Sequence, residues 1–197
     1  HVTAPANDFP GFNQLNFNIG DISAYNQGSG GVMAPNGTTV PSQFMASGQG
    51  FGVKALGGGT VTFTNAMRVA TPNTDYRNNT SDRQRIWLDL KNETYSLKSN
   101  MLVAFTEGAT NGFEGTYDSR RFDSPISMYS VLDTDEQLCI QGRSAFNEEQ
   151  EVDLGFSTMV KGVQTYSISI HQIEGVDISN ATIYLEDHLL NISTNLS

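Results

Sequence analysis

An all-β fold is the class this sequence predicts: two antiparallel sheets packed face to face as a β-sandwich, with a jelly roll as one form of it. Three observations carry the prediction. Short runs of β-branched and aromatic residues recur at fairly even spacing. Gly, Asn, Asp and Pro separate them, as turns require. No stretch repeats apolar residues at helical spacing over three turns.

The runs can be taken in order. Residues 60–70, TVTFTNAMRVA, set Val61 and Phe63 against Thr60, Thr62 and Thr64. Residues 85–90, RIWLDL, place Ile86, Leu88 and Leu90 on one face and Arg85, Trp87 and Asp89 on the other. The runs 101–108, 126–132, 137–142, 165–173 and 181–190 continue the series. Alternation assigns Ile86, Leu88, Val103, Phe105, Ile140, Ile168, Ile170 and Leu185 to the core. Before residue 50 the pattern loosens. Residues 26–42 are rich in Gly, Pro, Ser and Thr and read as long loops. The expectation is one sandwich domain over residues 1–197. Because the chain opens at His1 without an initiator Met, it reads as part of a longer polypeptide.

Charge narrows the partners. Only 16% of the residues are charged, the usual proportion for a secreted β-rich domain. A net charge of −10 with no clustered basic face argues against nucleic acid, which needs one. It also disfavours an anionic membrane, and no apolar run reaches the length of a membrane-spanning helix. The single cysteine, Cys139, excludes an intrachain disulfide and reads as a small buried hydrophobe.

Catalytic signatures are sparse. The three histidines, His1, His171 and His188, show no zinc spacing, and His171 shares the parity of Ser167 and Ser169 on a polar face. There is no G-x-S-x-G nucleophile motif. Acids cluster at Glu107, Glu114 and Asp118, at Asp133, Asp135 and Glu136, and at Glu148, Glu149, Glu151 and Asp153. A glycosidase needs two such groups across a cleft; solvated loops need none. Residues 133–137, DTDEQ, offer oxygen ligands of the kind calcium takes but lack the glycine and distal glutamate of an EF-hand. No cofactor is expected, with calcium as the one ion left open.

Residues 108–122, GATNGFEGTYDSRRF, form the chain's most unusual stretch. Glycines permit turns with positive φ. Arg120 and Arg121 can clamp carbonyls or the carboxylates of Glu114 and Asp118. Two readings follow. The stretch orders one end of the sandwich, or Glu114, Tyr117, Asp118, Arg120 and Arg121 bind a ligand, with Trp87 as a further candidate.

Six ordered phrases resemble a known family: ASGQGFGVKALGGGTVTFTNAMRV, RQRIWLDL, LVAFTEGATNGFEGTYDSRRF, LCIQGRSAF, EVDLGF and IYLEDHLLNI. They are similar to a domain that precedes the C-terminal sorting signal in large bacterial surface proteins exported by the type IX secretion system. The resemblance runs from about Tyr25 to Leu190. It implies an extracellular module, on the cell surface or secreted, with no catalytic residues carried over. It further implies strands flanking residues 1 and 197, supplied by the same polypeptide or by a neighbouring subunit.

The function expected is non-catalytic: adhesion, assembly or presentation at the bacterial surface. Three rivals stand beside it. A carbohydrate-binding module would stack glycans on an exposed row of Trp87, Tyr95, Tyr117 and Tyr129. A filament subunit would exchange strands with its neighbours. A glycoside-active enzyme would use the loop acids. Partners are thus other regions of the polypeptide, neighbouring subunits or glycans.

Overall fold

The computed structural model describes residues 19–45, 50–53, 57–69 and 83–197. The chain divides into two compact units, His1–Gln43 with Asp82–Ser197, and Phe44–Ser81. All described strands lie in the first unit.

The fold is all-β. Nine-residue strands β3 (Gln84–Asn92) and β4 (Leu97–Phe105) form the central hairpin. β3 also pairs with β9 (Ser167–Glu174), and β4 with β7 (Gln137–Arg143). β7 continues to β6 (Ile126–Val131), and β6 to β8 (Leu154–Thr158). The order is β8-β6-β7-β4-β3-β9, with the two-residue β5 (Ser119–Arg120) on β7. One pair departs from the antiparallel expectation: β4 and β7 run parallel.

β7 explains how one sheet encloses a core. Its first residues pair with β6 and its last with β4, while β5 pairs with Leu138 and Ile140. Backbone groups of one residue point to one edge or the other, so β6 and β4 share the edge opposite β5. The sheet therefore curls at β7, and β6 faces β4. The Met128 N–H donates to Ser99 Oγ across this turn at 2.9 Å.

Inside the curl lie Ile86, Leu88, Leu90, Met101, Val103 and Phe105 from one wall and Ile126 and Met128 from the other. Helix α1 (Val176–Asn180) adds Ile178 as a plug. A short hairpin, β1 (Ala24–Asn26) and β2 (Gly30–Val32), covers the opposite face of the central strands. Ala24 and Val32 pack there with Trp87, Leu102, Ala104 and Ile140. The central strands are thus buried on both faces. β2 lies within the 26–42 stretch expected to be loop; its residues gain strand form by pairing with β1 over Trp87.

β9 shows how the sequence meets the sheet. Its apolar residues fall at 168, 170 and 173, breaking the period of two. A bulge between Trp87 and Leu88 absorbs the mismatch, and His171 is the extra residue. Ile173 then lies opposite Ile86, Ile170 opposite Leu88 and Ile168 opposite Leu90.

Other expectations are corrected. Residues 60–69 form no strand; Val61, Phe63 and Val69 are exposed, and a 3-10 turn occupies Asn65–Met67. Phe63 meets Phe51 edge-on at 5.7 Å, and among the described residues no strand pairs with this segment. Residue 70 lies outside the described residues. The run 181–190 is shorter than expected, with β10 at Tyr184–Asp187 turning back into β11 (Ile192–Asn195). Asp187 Oδ1 accepts the N–H groups of Leu189 and Leu190 and ends the strand. Leu185 accordingly stays half-buried outside the main core.

Candidate functional site

The stretch 108–122 is held by its own side chains. Asp118 is its centre, 4% exposed. Asp118 Oδ2 accepts the Glu114 N–H at 2.6 Å, and Oδ1 accepts the Gly142 N–H at 2.8 Å. Burial pushes its carboxyl up to about 6, against the lowering effect of these two bonds. The Glu114 carbonyl accepts from Tyr117 and Asp118, and its side chain caps the Thr110 N–H at 2.6 Å.

The β1–β2 turn locks the same loop from the other side. Asn26 Nδ2 donates to the carbonyls of Gly115 and Asp118, while its Oδ1 accepts from Gly28 and Ser29. Ser29 Oγ donates to the Tyr117 carbonyl at 2.5 Å. Tyr117 lies so close to Gly142 that a Cβ there would collide with its side chain. Asn26, Ser29 and Gly142 carried no functional signal in the sequence, although Asn two residues before a Gly is an ordinary turn signature.

Both arginines are engaged. Arg120 pairs with Glu136 and lies 4.0 Å over the Phe113 ring. Arg121 pairs with Asp123 at 3.1 Å, donates through Nε to Gln137 Oε1 at 2.5 Å and covers Tyr129. Glu136 belongs to the tight β6–β7 turn, where the Leu132 N–H donates to its carbonyl and Asp135 takes a positive φ of 64°. Residues 133–136 are therefore accounted for as a turn. Among the described residues, no three of His, Cys, Asp and Glu group as metal ligands would.

Trp87 is not a surface platform, contrary to the expectation. It is 2% exposed, and its Nε1 donates to the Gly31 carbonyl at 2.9 Å. The β1–β2 hairpin, unforeseen in the sequence, covers the face that alternation made look exposed. Tyr129 is buried as well, and only Tyr95 of the four candidate aromatics is exposed. The four make no exposed aromatic row.

A second feature is open. A cleft of about 710 Å³ runs into the apolar interior of the curled sheet. Ile86, Leu88, Val103 and Phe105 form its floor. Leu154 and Phe156 of β8 line one side, and Ile183 and Leu185 before and within β10 line another. Phe156 packs on Tyr166, yet it remains 47% exposed. Six acids, Glu148, Glu149, Glu151, Asp153, Glu186 and Asp187, also line the cleft together with His188, and among the described residues no Lys or Arg does. Four of these were visible in the sequence as a loop cluster. Their place at an apolar opening depends on β8, a strand whose run LGFST lacks period-two apolar alternation strong enough to mark it in the sequence.

The family model that matches residues 1–197 is described as a domain of unknown function (DUF8693). No curated protein and no solved structure matches the chain.

Proposed function

We propose that this chain, which belongs to the DUF8693 family, is a non-catalytic assembly module of a bacterial surface or secreted protein. The observation that carries the reading is the open apolar cleft. A buried core normally excludes water, and an apolar concavity of this size is a surface for a partner. The loop acids and arginines support the same reading, because they spend their hydrogen bonds on each other and on the backbone. The low charge and the phrases resembling type IX-exported proteins support an extracellular location.

Fractionation of the source cells with an antibody raised against the domain tests this. Signal on intact cells or in the medium is expected, with no turnover of polysaccharide or peptide libraries by the purified chain. A cytosolic signal, or turnover abolished by Glu149→Gln, contradicts it.

A further inference from the structure

We propose that the cleft receives an extended peptide strand, apolar at alternate positions and carrying Lys or Arg, which adds to the free edge of β8. This rests on the assembly reading and names the chemistry of the partner.

The edge comes first. β8 pairs with β6 on one side and with no other strand among the described residues. An unpaired edge presents a row of N–H and C=O groups, and proteins usually protect it. β9, the sheet's other end, is protected by its bulge at His171 and by the charged Glu174 on the edge strand itself. β8 has no such device. Its five residues, LGFST, include no charge, no proline and no bulge. The backbone groups of alternate residues face β6; the intervening ones, Phe156 among them, face away. Five residues at about 3.3 Å each make an edge about 17 Å long, matched by a strand of similar length.

Side-chain demand comes second. Leu154 and Phe156 share the inward face of β8, yet the first is half-buried and the second nearly half exposed. Ile183 and Leu185 across the cleft are also half-buried. Apolar side chains at alternate positions of an added strand would point into this space, since successive strand residues face opposite ways. Polar ones would point out.

Charge selects the partner. Glu148, Glu149, Glu151 and Asp153 lead directly into β8, and Glu186 and Asp187 stand in β10. Among the described residues none of the six forms an ion pair. A cationic strand would meet opposite charge along its length; an acidic one would be repelled. Main-chain pairing then supplies affinity, and the rim supplies selection.

The probe is an acetylated, amidated peptide, Lys-Val-Thr-Ile-Thr-Val-Thr-Lys, labelled for fluorescence anisotropy and titrated with the full chain. Saturable binding is expected, weakening about tenfold or more between low and high salt. Replacing both terminal Lys by Glu should weaken it at least as much. Replacing Ile and the second Val by Pro should abolish it: in an antiparallel ladder the residues opposite Leu154, Phe156 and Thr158 both point their side chains into the cleft and turn their N–H groups to β8, and proline lacks that N–H. The variant E148Q/E149Q/E151Q should bind the probe several-fold more weakly with an unchanged melting temperature. No binding of the Lys peptide, or equal binding of the proline peptide, overturns the proposal. So does a dimer seen by light scattering that the peptide leaves intact, since a second copy would then fill the cleft. Failure here with the protein still found outside the cell leaves the assembly reading standing; a cytosolic location removes that reading by itself.

Discussion

Asp118 Oδ1 accepts the Gly142 N–H at 2.8 Å, tying the 108–122 loop to the C-terminal end of strand β7. The other oxygen holds the Glu114 N–H. One buried carboxylate therefore fixes both the shape of the loop and its seat on the sheet.

This carboxylate should make stability depend on pH. Burial raises its folded-state pKa to about 6, above the ordinary 3.8. The folded protein then takes up the proton more readily than the unfolded chain. The contribution is fully present below about pH 4 and is lost as pH rises through 6. It amounts to something on the order of 3 kcal/mol. Asp118→Asn should flatten this part of the profile. Thermal denaturation of both proteins from pH 4 to pH 8 checks it, and an unchanged difference between them across that range would count against it.

Close approach at Gly155 gives a second prediction. A Cβ there would sit 2.6 Å from the Tyr129 ring. Gly155→Ala should cost about 1–3 kcal/mol, the usual cost of overpacking. Gly112→Ala, whose nearest neighbour would be 3.8 Å away, should change little. Urea denaturation of the pair separates packing from the general effect of replacing glycine.

Burial should rank the leucines. Leu90 is fully buried in the curl, whereas Leu190 is exposed beyond β10. Leu90→Ala should lose about 2–5 kcal/mol and Leu190→Ala less than about 0.5 kcal/mol. Similar losses at both sites would contradict the assigned core.

Cys139 should be inert in the folded state. Desolvation pushes its thiol up to about 12, and the side chain is buried. Iodoacetamide at pH 8 should leave it unlabelled until denaturant is added. Rapid native labelling would show that the β5–β7 region opens.

The sequence conveyed the fold class because period-two alternation is local. Ile86, Leu88 and Leu90 announce a core face by themselves, and they form one. What alternation cannot convey is how many faces are covered. Trp87 has outward parity, and only the β1–β2 hairpin, more than fifty residues upstream, turns that face into a second core. β1 and β2 are short and rich in glycine, so their strand form depends on pairing rather than propensity. The loop was legible as a choice between clamp and site; its partners Asn26 and Ser29 were not, being distant in sequence. The acids at 148–153 were visible as charge, while their position beside a cleft followed from β8 alone.

Backbone amide exchange of the full chain, followed by NMR with and without the Lys-terminated peptide, decides whether β8 or the 108–122 loop is the binding site. Protection should rise at Phe156 and Thr158, whose N–H groups face the free edge of β8, while residues 108–122 remain unchanged. New protection or shifts concentrated at Glu114, Tyr117 and Arg120, with β8 unaffected, would contradict it and make the loop the site.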